Sequence, residues 1–258
     1  ARLRRCGGRR RRGHRRRRAL AALDRGADLR DLRRDTGHLA LDLAHDGFQP
    51  AEVAVAKARE ARLQIVRRAF DARRQVVAEL LHLLAWDTDP FARWDAGQVL
   101  LRQAVLERAA GSPNDELEEG LVAAFDRILA EVGLCDSNRS MLLALPGLPE
   151  LEDAAVAAAG FSDPPALFQA LLDLQQRFGT ELAEPLEHTL ERCRPQWLLA
   201  WPDGVGDRDL TATAWSWRVA AGDVGVRAEA AAAVGGPSMT LARAGLRALQ
   251  CPDTPERT

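Results

Sequence analysis

The 258-residue sequence contains no tyrosine, and aromatic residues make up only 5% of it. Sandwiches and barrels of β-strands draw on aromatic and β-branched side chains. A chain whose 47% hydrophobic content comes largely from Ala and Leu is therefore read as all-α. The four cysteines, Cys6, Cys135, Cys193 and Cys251, include no C-x-x-C pair. That excludes a zinc knuckle and a secreted disulfide framework, and fits a reducing cytoplasm. Lysine is almost missing: Lys57 is the single one among 36 basic residues, a bias that points to GC-rich coding rather than to a physical demand for arginine everywhere. Long apolar runs are missing too. The longest uncharged stretch, Ala230 to Ala242, has 13 residues and includes Gly235, Gly236 and Pro237, short of the ~20 apolar residues of a membrane span. No apolar h-region follows the N-terminal arginines, so they are not a secretory signal.

What is present is an asymmetry of charge. The net charge is −1, yet residues 1–35 hold 15 Arg against four Asp, a net +11 that leaves −12 on the remainder. Dense runs such as Arg9 to Arg12 and Arg15 to Arg18 repel one another, so residues 1–35 are expected to be a disordered, low-complexity head. Residues 36–75 read as a linker or the remnant of a preceding domain. Residues 76–258 read as a helical-array domain.

In that last part Val77, Leu80, Leu81 and Leu84 recur at helical spacing and stop at Asp87-Thr88-Asp89-Pro90. Asp89 is placed as an N-cap, with Pro90 at the first helical position, where its missing donor costs nothing. The spacing then predicts a helix with Phe91, Trp94, Leu101 and Val105 on one stripe. After Gly111 to Asn114, a helix is predicted over Asp115 to Val132, with Leu117, Leu121, Phe125, Ile128 and Val132 buried and acids in its first turns. Glu118 and Glu119 are expected to be solvated charges. Shorter helices follow around Met141 to Leu145 and Leu151 to Ala159. A long one runs from Pro165 to about Arg192, kinked by Pro185, and three more run over Asp209 to Ala221, Val224 to Val234 and Met239 to Leu249. Short loops make neighbours antiparallel, and the sum is a superhelical array, α-solenoid-like, without a strict repeat.

The sequence is poor in catalytic patterns. A zinc peptidase needs two imidazoles one helical turn apart with a glutamate to activate water, as in H-E-x-x-H, and none of His14, His38, His45, His82 or His188 has that setting. His38 and His45, with Asp42 between them, would lie about 10 Å apart along a helix, too far to share one ion. Gly160-Phe161-Ser162-Asp163-Pro164 lacks the second glycine of a nucleophile elbow and reads as a turn. With one lysine there is no phosphate-binding G-x-x-x-x-G-K-[ST] loop. The reading names no catalytic, cofactor-binding or metal-ligating residue. The Arg-rich head is suited to non-specific, salt-sensitive nucleic-acid binding, but residues 1–47 carry no aromatic ring on which a base could stack. Nucleic acid is therefore not the expected partner.

Leu84 to Gln98 reads L-A-W-D-T-D-P-F-A-R-W-D-A-G-Q. It resembles the D-x-D-x-F-N-R-W-E-A-G-Q block in the C-terminal region of bacterial aminopeptidase N, the zinc-dependent alanyl aminopeptidase family. Leu143 to Pro146 resembles that family's A-L-x-L-P-S-E turn, with Gly147-Leu148 in place of S-E. Phe161 to Leu167 is similar to its I-D-P-D-A-L helix start, and Ser238-Met239-Thr240 to its N-M-T-D turn before the helix Ala244 to Leu249. The resemblance covers roughly 76–258. Two departures, Arg208 to Ala212 for R-x-L-R-N and Ser238 for Asn, lead to an expectation of looser packing there.

The resemblance implies a non-catalytic C-terminal helical domain that covers the catalytic domain of the same enzyme in cis and limits peptide access to an enclosed cavity, with zinc held elsewhere. It also implies a fragment, with the catalytic domain and a β-sandwich upstream, of which Phe70 to Arg74 is at most an echo, and further helices downstream of Thr258. On that reading the Arg-rich head is a misread neighbouring frame or a wrongly chosen start. The alternative is a free-standing helical interaction scaffold with a basic, nucleic-acid-binding tail, to be told apart by salt-dependent DNA retention that is lost when residues 1–35 are deleted.

Overall fold

The computed structural model describes Gln64, residues 74–200 and residues 202–250; the basic head, His14, His38, Asp42, His45, Lys57, Cys6 and Cys251 lie outside them. The described residues from 77 onward belong to one compact unit. The described residues are helices and their links, with no strand among them. In chain order these are α1 (74–86), α2 (Pro90–Ala109), α3 (Asp115–Ala130), α4 (Asp136–Leu143), α5 (Leu148–Ala159), α6 (Pro164–Glu181), α7 (Ala183–Cys193), a 3-10 turn (Arg194–Gln196), α8 (Val205–Ala220), α9 (Val224–Val234) and α10 (Met239–Ala248). None is long and apolar enough to cross a membrane.

Most starts are local events. The first backbone N–H groups of a helix have no partner within it, and a short polar side chain just before can accept from one. Asp89 Oδ1 accepts from the Phe91 N–H at 3.1 Å with Pro90 at the first position, as the sequence predicts. Asn114, Asp163 and Asp223 do the same for Leu117, Ala166 and Val226. At the end of α5, Gly160 takes φ 80°, a left-handed turn that a side chain would strain. The long helix expected over Pro165 to Arg192 is two: it breaks at Leu182 (φ −103°, ψ 24°), between α6 and α7. The cause is Pro185, which has no N–H to offer the carbonyl of Glu181 four residues back and whose ring crowds it.

The array is organised around two helices. One is α8, which packs on α4, α6, α7, α9 and α10; the other is α2, which packs on α3, α4, α5 and α6. Where α3, α6 and α8 meet, Phe125, Phe178 and Trp217 form a closed trio with ring centroids 5.0–5.6 Å apart, all buried. Gly179 allows the approach: a Cβ there would lie 1.9 Å from the Trp217 carbonyl oxygen. A second aromatic pair, Trp197 and Trp215, is anchored at its polar ends. The Trp197 indole N–H donates to Thr211 Oγ1 at 2.8 Å and that of Trp215 to Glu229 Oε2 at 3.1 Å.

Several expectations about faces fail. Phe91 is 68% exposed and Val132 98% exposed. Phe91 lies in the first turn of α2, where its ring pairs with Trp94 of the same helix at 5.7 Å between centroids, and α3 ends at Ala130, so Val132 has left the helical stripe. Glu118 is fully buried rather than solvated: Arg108 of α2 and Arg177 of α6 both donate to it, the latter at 2.6 Å. The departure at 208–212 is accommodated, because Arg208, Leu210 and Thr211 are all buried. The arginine bias also acquires a physical use at particular positions. Arg93, Arg127, Arg139, Arg208 and Arg218 donate to main-chain carbonyls of Leu84, Ala85, Ile128, Trp197 and Gly179, at or just beyond the C-terminal ends of other elements. A forked guanidinium can serve such a carbonyl and a second acceptor at once, as Arg93 does with Glu131, and an ammonium matches that geometry less well.

Candidate functional site

The described residues hold a polar cavity of about 440 Å³ where the α3–α4 link, the end of α7 and the start of α8 converge. It is lined by Asp136 at the first position of α4, Asp207 in the first turn of α8, Arg139 and Arg192, and Cys193 at the last position of α7 is buried beside it. One carboxylate oxygen from each aspartate and the Cys193 sulfur all lie within 4.8 Å of one another. The two helix starts are nearly in backbone contact, because Gly206 leaves room that a Cβ would take from the Ser137 nitrogen, 2.5 Å away. No periodicity connects residues 71 positions apart in the chain; the only local signal is that each aspartate sits in a first helical turn, which the helix dipole favours for any acid.

The electrostatics of the trio are internally balanced. Arg139 donates to Asp136 Oδ1 at 2.6 Å and Arg192 donates to Oδ2, so both carboxylate oxygens are taken. Burial pushes the Asp136 carboxyl up, but these two arginines outweigh it and hold it below the usual carboxylate range. Asp207 moves the opposite way, raised by burial and then by the neighbouring Asp136 charge. Burial pushes the Cys193 thiol up to about 12.

Zinc, which the resemblance implies for the larger enzyme, does not fit this trio. A zinc ligand set needs a thiolate and free carboxylate lone pairs. Here Asp136 is engaged by two guanidinium groups, whose positive charges repel a cation, and two helix N-termini, which favour anions, face the same space. The described histidines do not help. His82 stacks near Trp86 at 6.5 Å between centroids, and His188 lies on α7. The arrangement joins α4, α7 and α8.

Comparison with known proteins gives three findings. Residues 77–258 match the family described as "Domain of unknown function (DUF3458_C) ARM repeats". Aminopeptidase N of Caulobacter vibrioides is 39% identical over 104 residues, which are 40% of this chain and 12% of that protein. The crystal structure of Legionella pneumophila aminopeptidase A in complex with aspartic acid aligns with a TM-score of 0.55 and 20% identity over 66% of this chain and 21% of that one, a likeness of fold. The chain thus spans a small part of the length of each of these two proteins. These findings agree with the resemblance to the C-terminal helical domain of aminopeptidase N that the Leu84–Gln98 block carries. With residues 77–258 inside the match, the chain belongs to the DUF3458_C family of ARM-repeat domains.

Proposed function

We propose that the chain is the non-catalytic helical domain of an aminopeptidase N-like zinc metallopeptidase of the cytoplasm, one that removes N-terminal residues from peptides. In this reading the array packs in cis on a catalytic domain, walls its substrate cavity and contributes no residue to bond cleavage. The observation that carries it is the 39% identity to Aminopeptidase N. The Leu84–Gln98 block adds to it, because its residues do structural work: Arg93 ties the ends of α1 and α3, Gln98 donates to the Ala144 carbonyl at 2.8 Å, and Gly97 packs against Leu84. A block that holds corners of the array together needs no catalytic group to do so.

Two measurements test the proposal. The purified chain, with zinc added, is expected to leave an alanyl chromogenic substrate uncleaved; turnover that a chelator abolishes would overturn the non-catalytic reading. Resequencing the locus and translating both flanks is expected to show an H-E-x-x-H motif upstream in a frame joined to residues 77–258. Confirmed stops on both sides would instead favour a free-standing helical scaffold.

A further inference from the structure

We draw no further inference here: the strongest candidate, the Asp136–Cys193–Asp207 cluster beside the cavity between α4, α7 and α8, already has both Asp136 carboxylate oxygens taken by Arg139 and Arg192, and nothing else in the structure points to a ligand there.

Discussion

Glu118 offers the sharpest test of how this array is held together. Its carboxylate is fully buried and accepts from Arg108 Nε at 3.2 Å, from Arg108 Nη2, and from Arg177 Nη1 at 2.6 Å, so one side chain joins α2, α3 and α6. Burial lowers the Arg177 pKa, but its bonds to Glu118 and then Glu181 more than offset this, and the net shift is upward. Glu118→Leu keeps the volume and leaves two guanidinium groups, 21% and 18% exposed, without their shared anion. Breaking a buried pair from one side costs about 3–5 kcal/mol. The cost here falls toward the lower limit, because Arg177 retains Asp115 at 3.2 Å and Glu181 at 2.7 Å while Arg108 retains Asp173 at 3.8 Å. About 3 kcal/mol in a unit of this size lowers Tm by roughly 6–12 °C. Thermal melts followed by circular dichroism at neutral pH read the shift, and urea titration supplies the free energy. A loss under about 1 kcal/mol would refute the reasoning and show that apolar packing replaces the ionic lattice at no cost.

Other consequences are equally open to measurement. Gly179→Ala drives a methyl into the Trp217 backbone carbonyl and is expected to cost about 3 kcal/mol in urea unfolding, more than the roughly 1 kcal/mol that helix propensity alone would return. Cys135 is exposed whereas Cys193 is buried with its thiol pushed up to about 12, so iodoacetamide at pH 8 followed by peptide mass mapping should mark Cys135 in the native chain and Cys193 only after denaturation. The two aspartates of the cavity should show opposite pH signatures. Asp136, lowered in the folded state, contributes stability above its ordinary pKa that is lost as pH falls through its folded value, so the penalty of Asp136→Asn is largest near neutrality and shrinks in acid. Asp207, raised in the folded state, contributes below its ordinary pKa and loses that contribution as pH rises, so Asp207→Asn gains on the parent chain between pH 4 and pH 7. Urea midpoints decide both signs, read between pH 4 and pH 7 for Asp207 and from pH 4 down to about pH 2 for Asp136.

The features legible in the sequence are those whose physics is confined to a few neighbouring residues. Asp89 with Pro90, the Gly160–Pro164 turn, and the disruption by Pro185 could be read because a cap, a left-handed glycine or a missing N–H acts within one helical turn. Faces were less legible. The stripe of Leu101 and Val105 is buried as predicted, but Phe91 on the same stripe, in the first turn of α2, is not. Glu118 read as a solubilising acid because its partners lie 10 and 59 positions away, on two other helices. The chemistry of the cavity was invisible for the same reason, since Asp136, Cys193 and Asp207 become neighbours only when α4, α7 and α8 pack.

By itself, the amino-acid sequence determined that the described residues are helical, where α2, α3, α6, α9 and α10 begin, and which family block the chain carries, since composition, caps and motif spacing are properties of the linear chain. The tertiary structure alone decided which charges are buried, which aromatic rings face water, and that an aspartate pair and a thiol meet with two arginines held on Asp136. Those outcomes depend on desolvation and on Coulomb terms between groups far apart in sequence, and these act only once the helices have packed.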